Sequence, residues 1–147
     1  MVAKKDEHMF YTDADQIGYD RYPVWLKQRL EGFMDLRFGL ILHWGPYSQW
    51  DCCESWPICP EPNDWARNDR LRCWVERGRD FERFCRDYRA LNRSFNPVKF
   101  DPDRWADIAA GAGLKYVVYT AKHHDGFCMF DTATTDYRIT HPDCPFH

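Results

Sequence analysis

Two short apolar runs, each ending in histidine, constrain this chain more than any other feature. Phe38-Gly39-Leu40-Ile41-Leu42 shows no polar alternation, which is the pattern of a strand buried on both faces of a parallel sheet. It closes on His43-Trp44-Gly45-Pro46. Lys115-Tyr116-Val117-Val118-Tyr119-Thr120 is dense in β-branched and aromatic residues and runs into Ala121-Lys122-His123-His124-Asp125-Gly126. Parallel α/β folds bind ligands at the carboxyl ends of their strands. Neighbouring parallel strands therefore bring His43, His123 and His124 to one rim.

The intervening sequence supplies helices. Leu26, Leu30, Phe33 and Met34 follow Pro23 at the spacing of an amphipathic helix. Residues 46–78 form a connection rich in Pro, Cys, Trp and charge, too long for a bland linker. From Arg79, the positions Phe81, Phe84, Cys85, Tyr88 and Leu91 predict a second helix. Asn96-Pro97 signals a turn. A third helix follows Asp101 as N-cap and Pro102 as first residue; Trp105, Ile108, Ala109 and Ala112 form its apolar face, and Gly113 ends it. The organisation is α/β with a parallel sheet. Residues 1–20 read as an irregular N-terminal segment and 21–147 as the folded part. Two strands cannot close a barrel of eight. The chain reads as about two βα units of a larger, incomplete (β/α) domain, whose open sheet edges predict poor folding in isolation.

Composition excludes several classes. The net charge is −3, with both signs interspersed, which leaves no electrostatic footprint for nucleic acid. No apolar run approaches the roughly 20 residues of a membrane helix. The seven cysteines, at 52, 53, 59, 73, 85, 128 and 144, contain no C-x-x-C pair and are odd in number, unlike a disulfide framework or a zinc ribbon. No signal peptide is visible at the N-terminus, and the expected setting is reducing and cytoplasmic. Aromatic residues reach 17%, seven of them Trp, enough both to fill a core and to line a sugar site.

Three chemistries compete for the histidine rim. His43, His123, His124 and Asp125 are metal-ligand types, but adjacent histidines on extended backbone point to opposite sides and no H-E-x-x-H spacing occurs. One imidazole could act as general acid or base. Neutral imidazoles could also bind vicinal hydroxyls, as both donor and acceptor, with Trp44 as an apolar wall. Glu54, beside Trp56 on the loop after the first strand, adds to the hydroxyl-binding reading: its carboxylate accepts hydroxyl protons while the indole stacks on a sugar face. Asp125-Gly126 also suits a turn closed by the Asp side chain.

Three motifs, in order, resemble α-L-fucosidases of glycoside hydrolase family 29. They are Arg37 to Leu40 with His43-Trp44-Gly45-Pro46-Tyr47-Ser48; Phe95-Asn96-Pro97 with Phe100-Asp101 and Trp105-Ala106; and Ala112 to Val118 running into Lys122-His123-His124-Asp125-Gly126-Phe127. The resemblance covers about residues 20–147. It implies the N-terminal portion of a (β/α)8-like, TIM-type barrel and a retaining hydrolase of terminal α-L-fucosyl groups. It implies that His43, Glu54, Trp56, His123 and His124 bind substrate, with Trp44 placed among them as the apolar wall, that Ser55 interrupts the family's Glu-Trp contact, and that no metal or cofactor is needed. The nucleophilic Asp and the acid/base match no position here and are expected beyond residue 147. The implied partner is a fucosylated carbohydrate. A non-catalytic sugar-binding module and a metal-dependent hydrolase on the same fold are the alternatives.

Overall fold

The computed structural model describes residues 18–60 and 63–146. Most of the segment expected to be irregular, residues 1–17, lies outside the described residues. The chain divides into two compact units, Met1–Gly39 and Leu40–His147.

In the first unit, α1 spans Val24–Met34, with Pro23 at its N-cap. The apolar stripe forms the expected helix, yet no residue of it is buried. Within this unit Tyr19 donates to Glu31 Oε1 at 3.0 Å.

The sheet pairs β1 (Gly39–Leu42) with β2 (Tyr116–Tyr119). The Thr120 amide donates to Leu42 O at 3.1 Å. The residue ending one strand thus bonds the residue just past the other, so the strands run parallel and their carboxyl ends lie side by side. β1 is not buried on both faces: Ile41 is 61% exposed. In β2, Val117 and Val118 are exposed too. A two-stranded sheet has too few neighbours to cover the apolar faces that its sequence supplies.

The crossover holds α2 (Arg72–Arg77), α3 (Phe81–Arg89) and α4 (Pro102–Gly111). The last two start as their sequences require. Asp80 caps α3 by accepting from the Arg83 amide, and Asp101 caps α4 by accepting from Arg104. Gly113, at φ +82°, ends α4 in the left-handed conformation. Of the expected α4 face only Ala109 is buried. In α3, Phe84 and Tyr88 are buried one turn apart, and the 3-10 turn Ala90–Arg93 adds Leu91.

Two cores result. Tyr47, Ile58, Phe84, Tyr88 and Leu91 pack together, flanked by Trp50 and Trp74. Phe95, Phe127 and Cys144 form the second, with Trp44 and Met129 against it. The long connection is organised by polar clamps rather than periodicity. It contains 3-10 turns at Pro46–Gln49 and Trp56–Ile58. Gln49 donates to Leu91 O at 2.9 Å, tying the first turn to the end of α3. Arg67 donates to the carbonyls of Pro57 and Cys59 and lies over the Phe81 ring at 4.4 Å, which fixes the second turn. Gly45 lets the chain turn closely: a Cβ there would meet the Tyr47 ring at 2.8 Å.

A candidate sugar-binding site at the strand ends

β1 delivers His43 and β2 delivers His123 to the same end of the sheet, with their rings 5.7 Å apart. The loop after β1 brings Glu54 to them. Its Oε1 lies 3.4 Å from His43 Nδ1, and its Oε2 lies 3.6 Å from His123 Nε2. The Trp56 indole N–H donates to Glu54 Oε2 at 2.9 Å. One carboxylate is thus held by an indole and faced by two imidazoles. The side chain of His43 is 42% exposed and that of His123 only 10%, so the cluster opens to solvent on the His43 side.

Backbone conformation places this carboxylate. Glu54 has φ +47°, a left-handed conformation unusual for a residue with a side chain. Its amide donates to Cys52 O at 2.8 Å, closing a tight turn. Strain of this kind persists where surrounding contacts over-determine it, and it clusters at functional sites. Here the side-chain contact is the hydrogen bond from the Trp56 indole.

His124 stays beside its neighbour, with the two imidazole rings 4.8 Å apart. Residues 123–126 form a turn, with the Gly126 amide donating to His123 O at 3.0 Å. Adjacent side chains therefore do not diverge as they would on a strand. Both rings reach Trp56, His124 at 4.2 Å and His123 at 5.7 Å between centroids. The other neighbour of Trp56 is the exposed Trp65, at 5.3 Å. Trp44 does not join the imidazoles. Its ring packs on Phe100 at 4.9 Å, Trp105 at 5.6 Å and Phe95 at 5.8 Å, beside an apolar hollow of about 460 Å³. Indole and phenyl faces gain more from one another than from a polar rim.

Asp125 performs the expected turn function: Oδ1 accepts from the Phe127 amide at 3.0 Å. Oδ2 accepts from the Tyr88 hydroxyl at 2.9 Å. Burial pushes this carboxyl above its ordinary pKa, against those hydrogen bonds. Burial lowers the pKa of His123, with Glu54 opposing, and so favours the neutral ring. Tyr47, buried beneath His123, is raised by burial and by the nearby Glu54 and Asp125 charges.

Ligand atoms of His43, Glu54 and His123 all lie within 4.8 Å of one another, close enough to share one cation. The hydrogen pattern works against that. Ser55 is fully buried, and its Oγ lies 2.5 Å from His123 Nδ1 and 3.1 Å from the Asp125 amide. The amide must donate to Oγ, and Nδ1 is the acceptor within reach of the hydroxyl hydrogen. His123 then carries its own hydrogen on Nε2, facing the carboxylate. A metal needs a lone pair there.

In sequence, Ser55 is only an interruption between Glu54 and Trp56, and nothing assigns Tyr88 or Trp65 to the site. No local signal marks Ser55 and Tyr88, because their partners lie 68 and 37 residues away in sequence.

A family model described as alpha-L-fucosidase matches residues 7–145. Among curated proteins, the tissue alpha-L-fucosidase of Rattus norvegicus is 32% identical over 138 residues, covering 87% of this chain and 25% of that protein. The tissue alpha-L-fucosidase of Homo sapiens is 34% identical over 105 residues, covering 65% and 19%. Among solved structures, alpha-L-fucosidase isoenzyme 1 from Paenibacillus thiaminolyticus is 41% identical, with a TM-score of 0.51, covering 78% of this chain and 22% of that one. The chain spans about a fifth to a quarter of the length of the relatives it matches.

Proposed function

Since this chain belongs to the alpha-L-fucosidase family, with its match running across residues 7–145, we propose that it supplies the glycone subsite of a retaining hydrolase of terminal α-L-fucosyl groups. His43, Glu54 and His123 would bind the sugar hydroxyls, while Trp56 and His124 would line the apolar face of the ring. The observation that carries this reading is the Glu54 carboxylate held by Trp56 between two imidazoles. Such a group accepts hydroxyl protons, and neutral imidazoles add donors beside it. Trp44 would act one layer back, supporting the rim through the Phe100 and Trp105 contacts.

The surrounding fold proposed is a (β/α)8-like barrel, of which β1 and β2 would be two strands. Their exposed Ile41, Val117 and Val118 suit faces that further strands and helices cover. Retention needs a nucleophile and an acid/base about 5–5.5 Å apart. Glu54 is engaged by Trp56, and Asp125 by Tyr88 and the Phe127 amide. The two catalytic carboxyl groups would come from later strands. Hydroxyl contacts from the present residues would strengthen as the oxocarbenium-like transition state forms. A cytoplasmic setting is part of the proposal, in keeping with seven free thiols.

The test is His124→Ala and Glu54→Gln in the protein that carries this chain, assayed with an aryl α-L-fucoside. Both should lower kcat/KM, and an unchanged value for either would remove that residue from the site. L-Fucose binding without turnover would favour a non-catalytic sugar-binding module. The proximity of His43, Glu54 and His123 motivates a metal-dependent hydrolase as the other reading, and stoichiometric zinc or iron in the purified protein would favour it.

A further inference from the structure

We infer that Ser55 is a positioning residue: its hydroxyl donates to His123 Nδ1 and so fixes the ring with its hydrogen on Nε2, aimed at Glu54 and at a ligand hydroxyl. The inference rests on the sugar-binding reading only for what the Nε2 hydrogen is used for. The geometry behind it stands on its own.

Ser55 is fully buried, and its Oγ has two polar neighbours among the described residues. One is the Asp125 amide, which can only donate. The other is His123 Nδ1, at 2.5 Å. If Nδ1 carried the hydrogen, Oγ would receive two donors. Its own hydrogen would then be buried with no acceptor, and the bare Nε2 would face a Glu54 oxygen at 3.6 Å, lone pair against lone pair. The opposite assignment satisfies each group. The Asp125 amide donates to Ser55, Ser55 donates to His123, and His123 points its Nε2 hydrogen at the carboxylate that also takes the Trp56 indole hydrogen. The hydrogen bonds run in one direction, from the turn after β2, through the loop after β1, to the cluster.

Ser55 thereby couples two segments 68 residues apart and sets what the inner imidazole offers. A ring that donates at Nε2 suits an acceptor oxygen of a polyol. It offers a metal no lone pair at that atom. The residue that separates Glu54 from Trp56 is thus the one that orients the histidine between them and β2.

The experiment is nitrogen-15 NMR of the histidine side chains in the protein that carries this chain, at a pH where His123 is neutral. Wild type, Ser55→Ala, Ser55→Cys and Glu54→Gln are compared, with L-fucose as the probe for binding. Wild type should show a protonated Nε2 and an unprotonated Nδ1 at His123. Ser55→Ala should shift the ring toward a mixture of tautomers and weaken L-fucose binding by about two- to tenfold, as the competent fraction falls. Ser55→Cys, which keeps a donor of similar shape, should restore part of both. Glu54→Gln should keep the Nε2 form. A protonated Nδ1 in wild type overturns the inference, and that measurement needs no variant to fold. So does an unchanged tautomer in Ser55→Ala, or loss of the preference in Glu54→Gln alone. The expected tautomer pattern with no response to L-fucose would uphold the role of Ser55 and overturn the sugar reading.

Discussion

The indole N–H of Trp56 donates to Glu54 Oε2 at 2.9 Å, two residues away, in a loop where Glu54 itself is left-handed at φ +47°. The strained backbone turns the carboxylate back over the following indole and toward the strand ends. Trp56→Phe keeps a ring against His124 but removes the donor. A hydrogen bond to a charged group is worth about 1.5–3 kcal/mol. The variant should lose up to about that much folding stability, read as a lower melting temperature, and L-fucose affinity should fall as the carboxylate loses its anchor, read by calorimetry.

The left-handed conformation predicts an inverted stability order at position 54. A side chain there costs about 1–2 kcal/mol that glycine avoids. Glu54→Gly should therefore be more stable than Glu54→Ala by about 1 kcal/mol, while both lose sugar binding. Denaturant melts of the two variants check this. Equal stabilities would mean that the loop relaxes to another conformation.

His123 should titrate below the ordinary histidine value of 6.5, because burial disfavours its charged form. The unfolded chain then binds the proton first as pH falls. This ring's contribution to stability is fully present above about 6.5 and is lost as pH drops toward the folded value. Glu54 opposes the shift, so Glu54→Gln should move the His123 midpoint lower still. An NMR titration reads both.

Tyr88→Phe should destabilise the fold by about 1–3 kcal/mol at neutral pH, because it leaves Asp125 Oδ2 without its buried partner. The lost bond stabilises the ionised carboxyl, so the Asp125 pKa should rise further in the variant. The penalty should shrink as pH falls and Asp125 becomes protonated. Melts at neutral and acid pH compare the two. A penalty independent of pH would point to packing alone.

The local features were legible in the sequence because their causes are local. Asp101-Pro102 starts α4, Gly113 ends it, and the Val/Tyr run makes β2. Asp125-Gly126 closes the turn that its side chain predicted. Parallel pairing then brings together His43, just after β1, and His123, in the turn that follows β2. Residues 46–78 were opaque because they have no period to read; polar clamps from Gln49 and Arg67 set their path.

Sequence by itself determined that His43 and His123 reach one rim, because each follows a short apolar strand and parallel pairing sets the two strand ends side by side. Tertiary structure decided what each one does there. Trp44 turned away because Phe95, Phe100 and Trp105 offered it a drier contact. Glu54 entered the cluster through a strained backbone that no propensity favours. Ser55, 68 residues from its partner, became the group that sets the hydrogen on His123. Hydrogen-bond direction depends on every neighbour at once, and those neighbours meet only when the chain has folded.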